Sequence, residues 1–344
     1  MELARWGYER FGGTGIQTAG NLIDDELIEV FRKFSVGVGI SIDGPGDLNA
    51  VRSAGSPEKT AKATRRTEEA IDKLCSLGMA PSLIVTIHQG NAGTEEKVDR
   101  LVAWLNGLRA KGVSSIRIHV LETESDEIRE RLGLSPERNL HVILRLGGEV
   151  EGLSVDVVND IRSALRGDLG CLTCIWKACD PWNTDAVRGV DADGRRINCG
   201  RTNKDGANWT KTPDRSYVRQ LALYRTPQES GGCKGCRFFV MCQGQCPGTA
   251  IDGDWRNRSV DCLTWKALFR HFEDEMLDAG EVPLTAQPER LRGLEAQILS
   301  GALDASSGAG GHGDHTDRQH GDHTDRTHGD GEIFETVVPV REAS

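Results

Sequence analysis

Cys233 to Cys246, CKGCRFFVMCQGQC, is the stretch that decides how this chain is read. Its thiols are spaced C-x2-C-x5-C-x3-C, and Cys262 follows. Working outward, Cys171, Cys174, Cys179 and Cys199 lie upstream, so nine of the ten cysteines fall between residues 171 and 262. Cys75 alone stands apart. Cys199 closes a G-x4-C turn that begins at Gly194 in DADGRRINC. Three chemistries compete for such a cluster. Disulfides require an exported chain, and the opening MELARWGYERFGG has no apolar run of signal-peptide length. Zinc suits the C-x2-C step, but zinc sites usually match it with a second close pair, and the x5 and x3 spacings do not. Iron–sulfur clusters take four thiolates each, so eight or nine cysteines serve two of them. Gly232, Gly235 and Gly244 among the thiols let the backbone turn inward and offer N–H groups to cluster sulfides.

Upstream of the cysteines, residues 1–165 alternate strand and helix patterns. GTGIQTAG is a short apolar piece closed by Gly20, and Asp24 or Asp25 caps a helix with Leu27, Ile28, Phe31 and Phe34 on one face. VGVGISID is a β-branched run ending in the turn Asp43-Gly44-Pro45. A long helix from about Thr60 stops at Gly78, and PSLIVTIH forms the next strand. Thr94 caps a helix carrying Val98, Leu101, Val102, Leu105 and Leu108, and SSIRIHVLE makes a further strand. Helical stretches near 136–147 and 156–166 complete this part. Such alternation predicts a parallel sheet, doubly wound or a partial barrel, whose functional ends are the C-terminal ends of its strands. Ser41, Asp43, His88, Asn91, His119 and Glu122 fall there. The bland reading of the histidines is hydrogen-bonded packing, and that of Asp43 is turn chemistry.

With 344 residues the chain has room for about two domains. Its net charge of −10, without a basic stripe, disfavours a nucleic-acid partner. No run of apolar residues is long enough to span a membrane, and a reducing, cytoplasmic location suits thiolate ligands. After Cys262, LTWKALFRHFEDEMLDAG reads as a helix over the cysteine domain. From Ser306 the composition turns to Gly, His, Asp and Thr, with the repeat HGDHTDRQ, HGDHTDRT, HGD. The repeat carries no apolar residue, so the segment reads as a disordered tail; its histidines could sequester metal, but a solvated low-complexity end is the simpler reading.

Taken together, these features resemble the radical SAM enzymes that carry a SPASM domain, a group of peptide and protein maturases. The cysteine order matches that domain: Cys179, the G-x4-C turn at Cys199, the C-x2-C-x5-C-x3-C block, then Cys262. IQTAGNLIDDE and VGISIDGPGDLNAVR resemble the family's third and fourth barrel strands. The resemblance implies an α/β fold: a partial (β/α) barrel over 1–166 lacking its first units, a small irregular cysteine-rich SPASM domain over 167–265, C-terminal helices over 266–303 and a disordered tail over 304–344. It implies one auxiliary [4Fe–4S] cluster on Cys174 (with Cys171 as rival), Cys179, Cys199 and Cys246, and a second on Cys233, Cys236, Cys242 and Cys262. Gln17 and Ser41 align with positions that touch S-adenosylmethionine, with Asp43, Asn91 and Arg52 as weaker candidates. Partners implied are a precursor peptide as substrate and an electron donor such as a flavodoxin or ferredoxin. The chemistry is hydrogen abstraction by a 5′-deoxyadenosyl radical, with the auxiliary clusters taking up or relaying an electron.

Three departures qualify the resemblance. The family's C-x3-C-x2-C motif, which holds a third [4Fe–4S] cluster and with it the reacting S-adenosylmethionine, is absent from the sequence. At ~30 residues per βα unit, on the order of 60–90 residues of barrel precede the match in the family. Sulfatase-maturing members carry aspartate after the G-x4-C cysteine, where this chain has Gly200, and Ala19 stands where asparagine is usual. The rival readings are a non-catalytic iron–sulfur partner that binds peptide or passes electrons, and a zinc-stabilised scaffold.

Overall fold

The computed structural model describes residues 2–123, 125–170, 172–177, 179, 189–190, 194, 196–197, 199, 201 and 218–300. They fall into two compact units: residues 2–170 with 261–286, and the described residues of 172–260 with 287–300. Cys171 and the whole 304–344 tail lie outside the described residues.

The first unit begins with α1 (Glu2–Phe11), β1 (Thr14–Thr18), α2 (Asp25–Lys33) and β2 (Val36–Ser41). It continues through α3 (Pro57–Ser76), β3 (Ser82–Ile87), α4 (Gln89–Ala92), α5 (Glu95–Ala110) and β4 (Ser115–Val120). Then follow α6 (Asp126–Leu132), α7 (Pro136–Gly148), β5 (Ser154–Val155) and α8 (Asp156–Arg166). The five strands form one sheet in the order β1-β2-β3-β4-β5, and every pair is parallel. Each strand lies beside its predecessor and the order never reverses. A doubly wound sheet reverses at a switch point, so the winding is that of a partial (β/α) barrel.

Local signals place the helices. The Asp24 carboxylate accepts from Leu27 N at 2.9 Å, which makes Asp24 the cap of α2. Ser56 caps α3 with Pro57 in its first turn, slightly earlier than the expected start near Thr60. Gly78, at φ 71°, supplies the left-handed residue that ends it. Thr94 caps α5, which buries Val98, Leu101, Leu105 and Leu108 against the sheet side. Ile40, Val85, Ile87 and Ile116 form the facing strand core.

In the first unit α1, α4, α6 and β5 had no place in the sequence reading. Helix α6 buries no residue, so it has no apolar period to detect. Strand β5 is two residues long because the Asp156 carboxylate takes Ile118 N at 3.0 Å, where a further backbone carbonyl would pair. At the other margin β1 is an edge strand with Ile16 exposed, and α1 exposes Leu3, Trp6 and Phe11. The helix beginning at Cys262, numbered α11 below, lies in the first unit; its buried Leu268, Phe269 and Phe272 face α7 and α8, and it was expected over the cysteine domain.

The second unit holds the antiparallel pair β6 (Gly189–Val190) and β7 (Arg196–Ile197), then α9 (Val218–Arg225) and α10 (Phe239–Cys242). After α11 (Cys262–Asp278) in the first unit, α12 (Pro288–Ser300) returns to the second. No helix among the described residues is long and apolar enough to cross a membrane.

Candidate functional site

At the C-terminal ends of β1 and β2, Gln17 Nε2 donates to Ser41 Oγ at 3.2 Å. The pair is possible because Gly39, the register partner of Gln17, has no side chain. A Cβ there would lie 2.2 Å from Gln17 Oε1, so the amide lies across β2 in the space glycine leaves. Gln17 is exposed, and Ser41, accepting from the amide, keeps its own O–H to donate. An amide and a hydroxyl side by side at strand ends can hold hydroxyl, amine or carboxylate groups of a ligand.

Beside them is a second, closed group. Asp43 is 2% exposed. Its Oδ1 accepts from Thr86 N at 2.8 Å, and its Oδ2 faces Arg52 Nε at 2.9 Å and His88 Nε2 at 3.5 Å. Its backbone is held as well: Asp43 N donates to Asn49 Oδ1 at 2.8 Å, and Asn91 Nδ2 donates to Asp43 O at 2.7 Å. Asn91 also donates to Thr86 O and accepts from His88 N, which ties the end of β3 to the turn after β2. His88 accepts from Gly90 N on Nδ1 as the cap of α4, so the neutral ring carries its proton on Nε2, toward Asp43. His88 and Asn91 therefore serve packing and alignment. Asp43 does not face solvent; what reaches outward from this group is Arg52, whose side chain is 31% exposed.

Of the remaining strand-end residues, His119 is half-buried on β4 and Glu122 lies just past it. Glu122 acts on a residue the sequence did not single out. Burial pushes the Asp261 carboxyl up to about 6, Arg129 opposes the rise and Glu122 adds to it. Asn49 and Thr64, joined at 3.0 Å beneath Asp43, were missed too, because nothing marks a buried asparagine in a sequence.

In the second unit the cysteine block is a series of tight turns. Cys233 N donates to Leu223 O at 2.7 Å, Cys236 N to Cys233 O at 3.0 Å, and Cys242 N to Phe238 O at 2.8 Å. Cys246 N donates to Gln245 Oε1 at 2.9 Å. Cys233 and Cys246 are buried; Cys236, Cys242, Cys174, Cys179 and Cys199 are half-buried. Gly194, at φ 84°, lies in the chain between β6 and β7, five residues before Cys199. Cys262, half-buried, opens α11 in the first unit. Cys75 is half-buried in α3, where burial raises its thiol above the usual range, which suits a core thiol. The donors are of the kind iron–sulfur clusters require, and they lie in turns rich in backbone amides. Among the described residues no three His, Cys, Asp or Glu side chains are gathered closely enough to hold a metal ion.

Neither a protein-family profile nor a curated protein matches the sequence. Solved structures do match in fold. One is native anSMEcpe with bound AdoMet and a Cp18Cys peptide, at TM-score 0.52 and 14% identity over 77% of this chain and 75% of that one. Another is native anSMEcpe with bound AdoMet and a Kp18Cys peptide, at TM-score 0.55 and 15% identity over the same shares. A third, a histidine-tagged anSMEcpe with bound AdoMet, covers 85% of this chain at TM-score 0.52 and 13% identity. The chain thus has the fold of anSMEcpe, a radical SAM/SPASM anaerobic sulfatase-maturating enzyme.

Proposed function

We propose that the chain is the strand-end and auxiliary-cluster part of a radical SAM/SPASM maturase that modifies a ribosomally made peptide. The observation that carries this reading is the occurrence in one chain of an open Gln17–Ser41 site at parallel strand ends and of a separate unit rich in turn-borne cysteines. Gln17 and Ser41 hold polar groups of S-adenosylmethionine. Asp43 acts at one remove, by orienting Arg52 toward that ligand. The thiols of the two ligand sets named above hold two auxiliary [4Fe–4S] clusters, which when bound supply a site that takes up or relays an electron. A reduced flavodoxin or ferredoxin is the matching donor, and a reducing, cytoplasmic setting keeps the thiols available. Gly200 lacks the carboxylate of sulfatase-type members, so the substrate here is a different peptide.

Anaerobic purification tests the reading: the protein should be brown and hold roughly eight iron and eight sulfide per chain. Stoichiometric zinc without iron would sink it in favour of a zinc-stabilised scaffold. A second reading is favoured by the absence of C-x3-C-x2-C from the sequence: a non-catalytic iron–sulfur partner that binds peptide or passes electrons. The two separate on one assay. Residues 1–344 alone should not form 5′-deoxyadenosine under reducing conditions, and a polypeptide that supplies the three-cysteine motif should restore it if the chain belongs to a maturase.

A further inference from the structure

Within the second unit, α9 carries Arg219, which is 0% exposed. Its guanidinium is directed at backbone carbonyls from two loops. Nε donates to Trp255 O at 2.6 Å and one Nη to Asn257 O at 3.2 Å; toward the cysteine block it donates to Gln243 O at 3.3 Å and Gly244 O at 3.5 Å. Gln243, Gly244 and Gln245 are the three residues between Cys242 and Cys246. All three are left-handed, at φ 47°, 73° and 63°. Two of them bear a Cβ, for which that conformation is costly, so something outside the loop must hold it. A Cβ on Gly244 would meet Leu223 of the same helix α9 at 2.6 Å, so the loop is seated directly on the element that carries Arg219. Lysine could not replace the fork: its three donors radiate from one point, whereas the planar guanidinium spans carbonyls of both loops.

We propose that Arg219 is a positioning residue for the thiols: by holding the carbonyls of Gln243 and Gly244 it fixes the left-handed loop and so the relative placement of Cys242 and Cys246. The inference rests on the cluster reading above, in which these two thiols serve different clusters. Arg219 touches no substrate and ligates nothing; it sets how far apart, and in what direction, two ligands leave one short loop.

The test compares wild type, Arg219→Lys and Arg225→Lys, the last an exposed arginine on the same helix. After anaerobic reconstitution, Arg219→Lys should keep a wild-type far-UV spectrum, bind less than half the wild-type iron and show an altered paramagnetic signal on reduction. Arg225→Lys should match wild type in all three. An Arg219→Lys protein with wild-type iron and an unchanged signal overturns the proposal. A second arm uses metal-free wild type. The amides of Gln243 and Gln245 donate to Phe239 O and Cys242 O, so they should exchange slowly before any metal is added. Exchange there at solvent rates overturns the proposal by itself. A wild-type chain that binds no iron overturns the cluster reading; slow exchange of this loop in the same protein would still separate that failure from a failure of Arg219 to hold it.

Discussion

Replacing Asp43 by Asn keeps the size of the side chain and removes its charge. Oδ1 can still accept from Thr86 N, but the amide nitrogen then stands where Oδ2 faced Arg52 Nε at 2.9 Å and His88 Nε2 at 3.5 Å. Donors meet donors, and turning the amide over only moves the conflict to Thr86 N. The contacts to Oδ2 are ion-pair contacts without hydrogen-bond geometry; breaking a fully buried ion pair costs about 3–5 kcal/mol and an exposed one about 0–1 kcal/mol. Arg52 is 31% exposed and can turn to water, which puts the expected loss between the two ranges, about 2–3 kcal/mol. At about 2–4 °C per kcal/mol for a unit of this size, the first unit should melt roughly 4–12 °C lower. Thermal denaturation of Asp43→Asn, Arg52→Leu and the double variant measures the coupling directly. It should exceed about 1 kcal/mol, because the two side chains are in contact. Asp43→Asn melting within about 2 °C of wild type, with additive single effects, would refute the network; the threshold is about 1 kcal/mol by the same scale.

Burial pushes Asp156 up to about 6, above its unfolded value of 3.8. The stability it contributes is therefore complete below about pH 4 and lost as pH rises through 6. Its side chain keeps 20% exposure, so Asp156→Asn should gain about 2 kcal/mol on wild type between about pH 4 and 7.5 in denaturant titrations, and a pH-independent difference would exclude this. Replacing Cys236 by Ala should remove about half the iron, whereas Cys75→Ala should remove none; equal losses would put Cys75 among the ligands. Deleting residues 306–344, which lack apolar content until near their end, should leave melting temperature and iron unchanged, and a loss of either would show that this segment docks.

The barrel was legible where one face is buried. Along β3 buried and half-buried residues alternate, and α5 places Val98, Leu101, Leu105 and Leu108 at helical spacing, so sequence period and burial coincide. It was illegible where an element ends for a reason outside itself. β5 stops because a carboxylate, not a backbone group, takes the next N–H of β4, and no local signal distinguishes that aspartate from an ordinary first-turn acid. The choice between a doubly wound sheet and a barrel also lay beyond local pattern, since both repeat strand and helix and differ only in strand order.

The candidate site shows the same division at the level of single side chains. Ser41, Asp43, His88 and Asn91 could be singled out because each falls at a strand end. Their joining could not, since Asp43 reaches Thr86 across 43 positions and Asn91 across 48. That joining changes what each can do. Sequence reasoning puts Gln17 and Ser41 first and Asp43 behind them as polar groups available to one ligand, without a physical ground for the ranking. Burial separates them: Gln17 and Ser41 form an open pair that needs a glycine opposite, while Asp43 is closed in and can act on a ligand only through the partly exposed Arg52. The two groups therefore differ in kind: a buried carboxylate in ion-pair contact with a partly exposed guanidinium, beside an open pair of neutral polar groups.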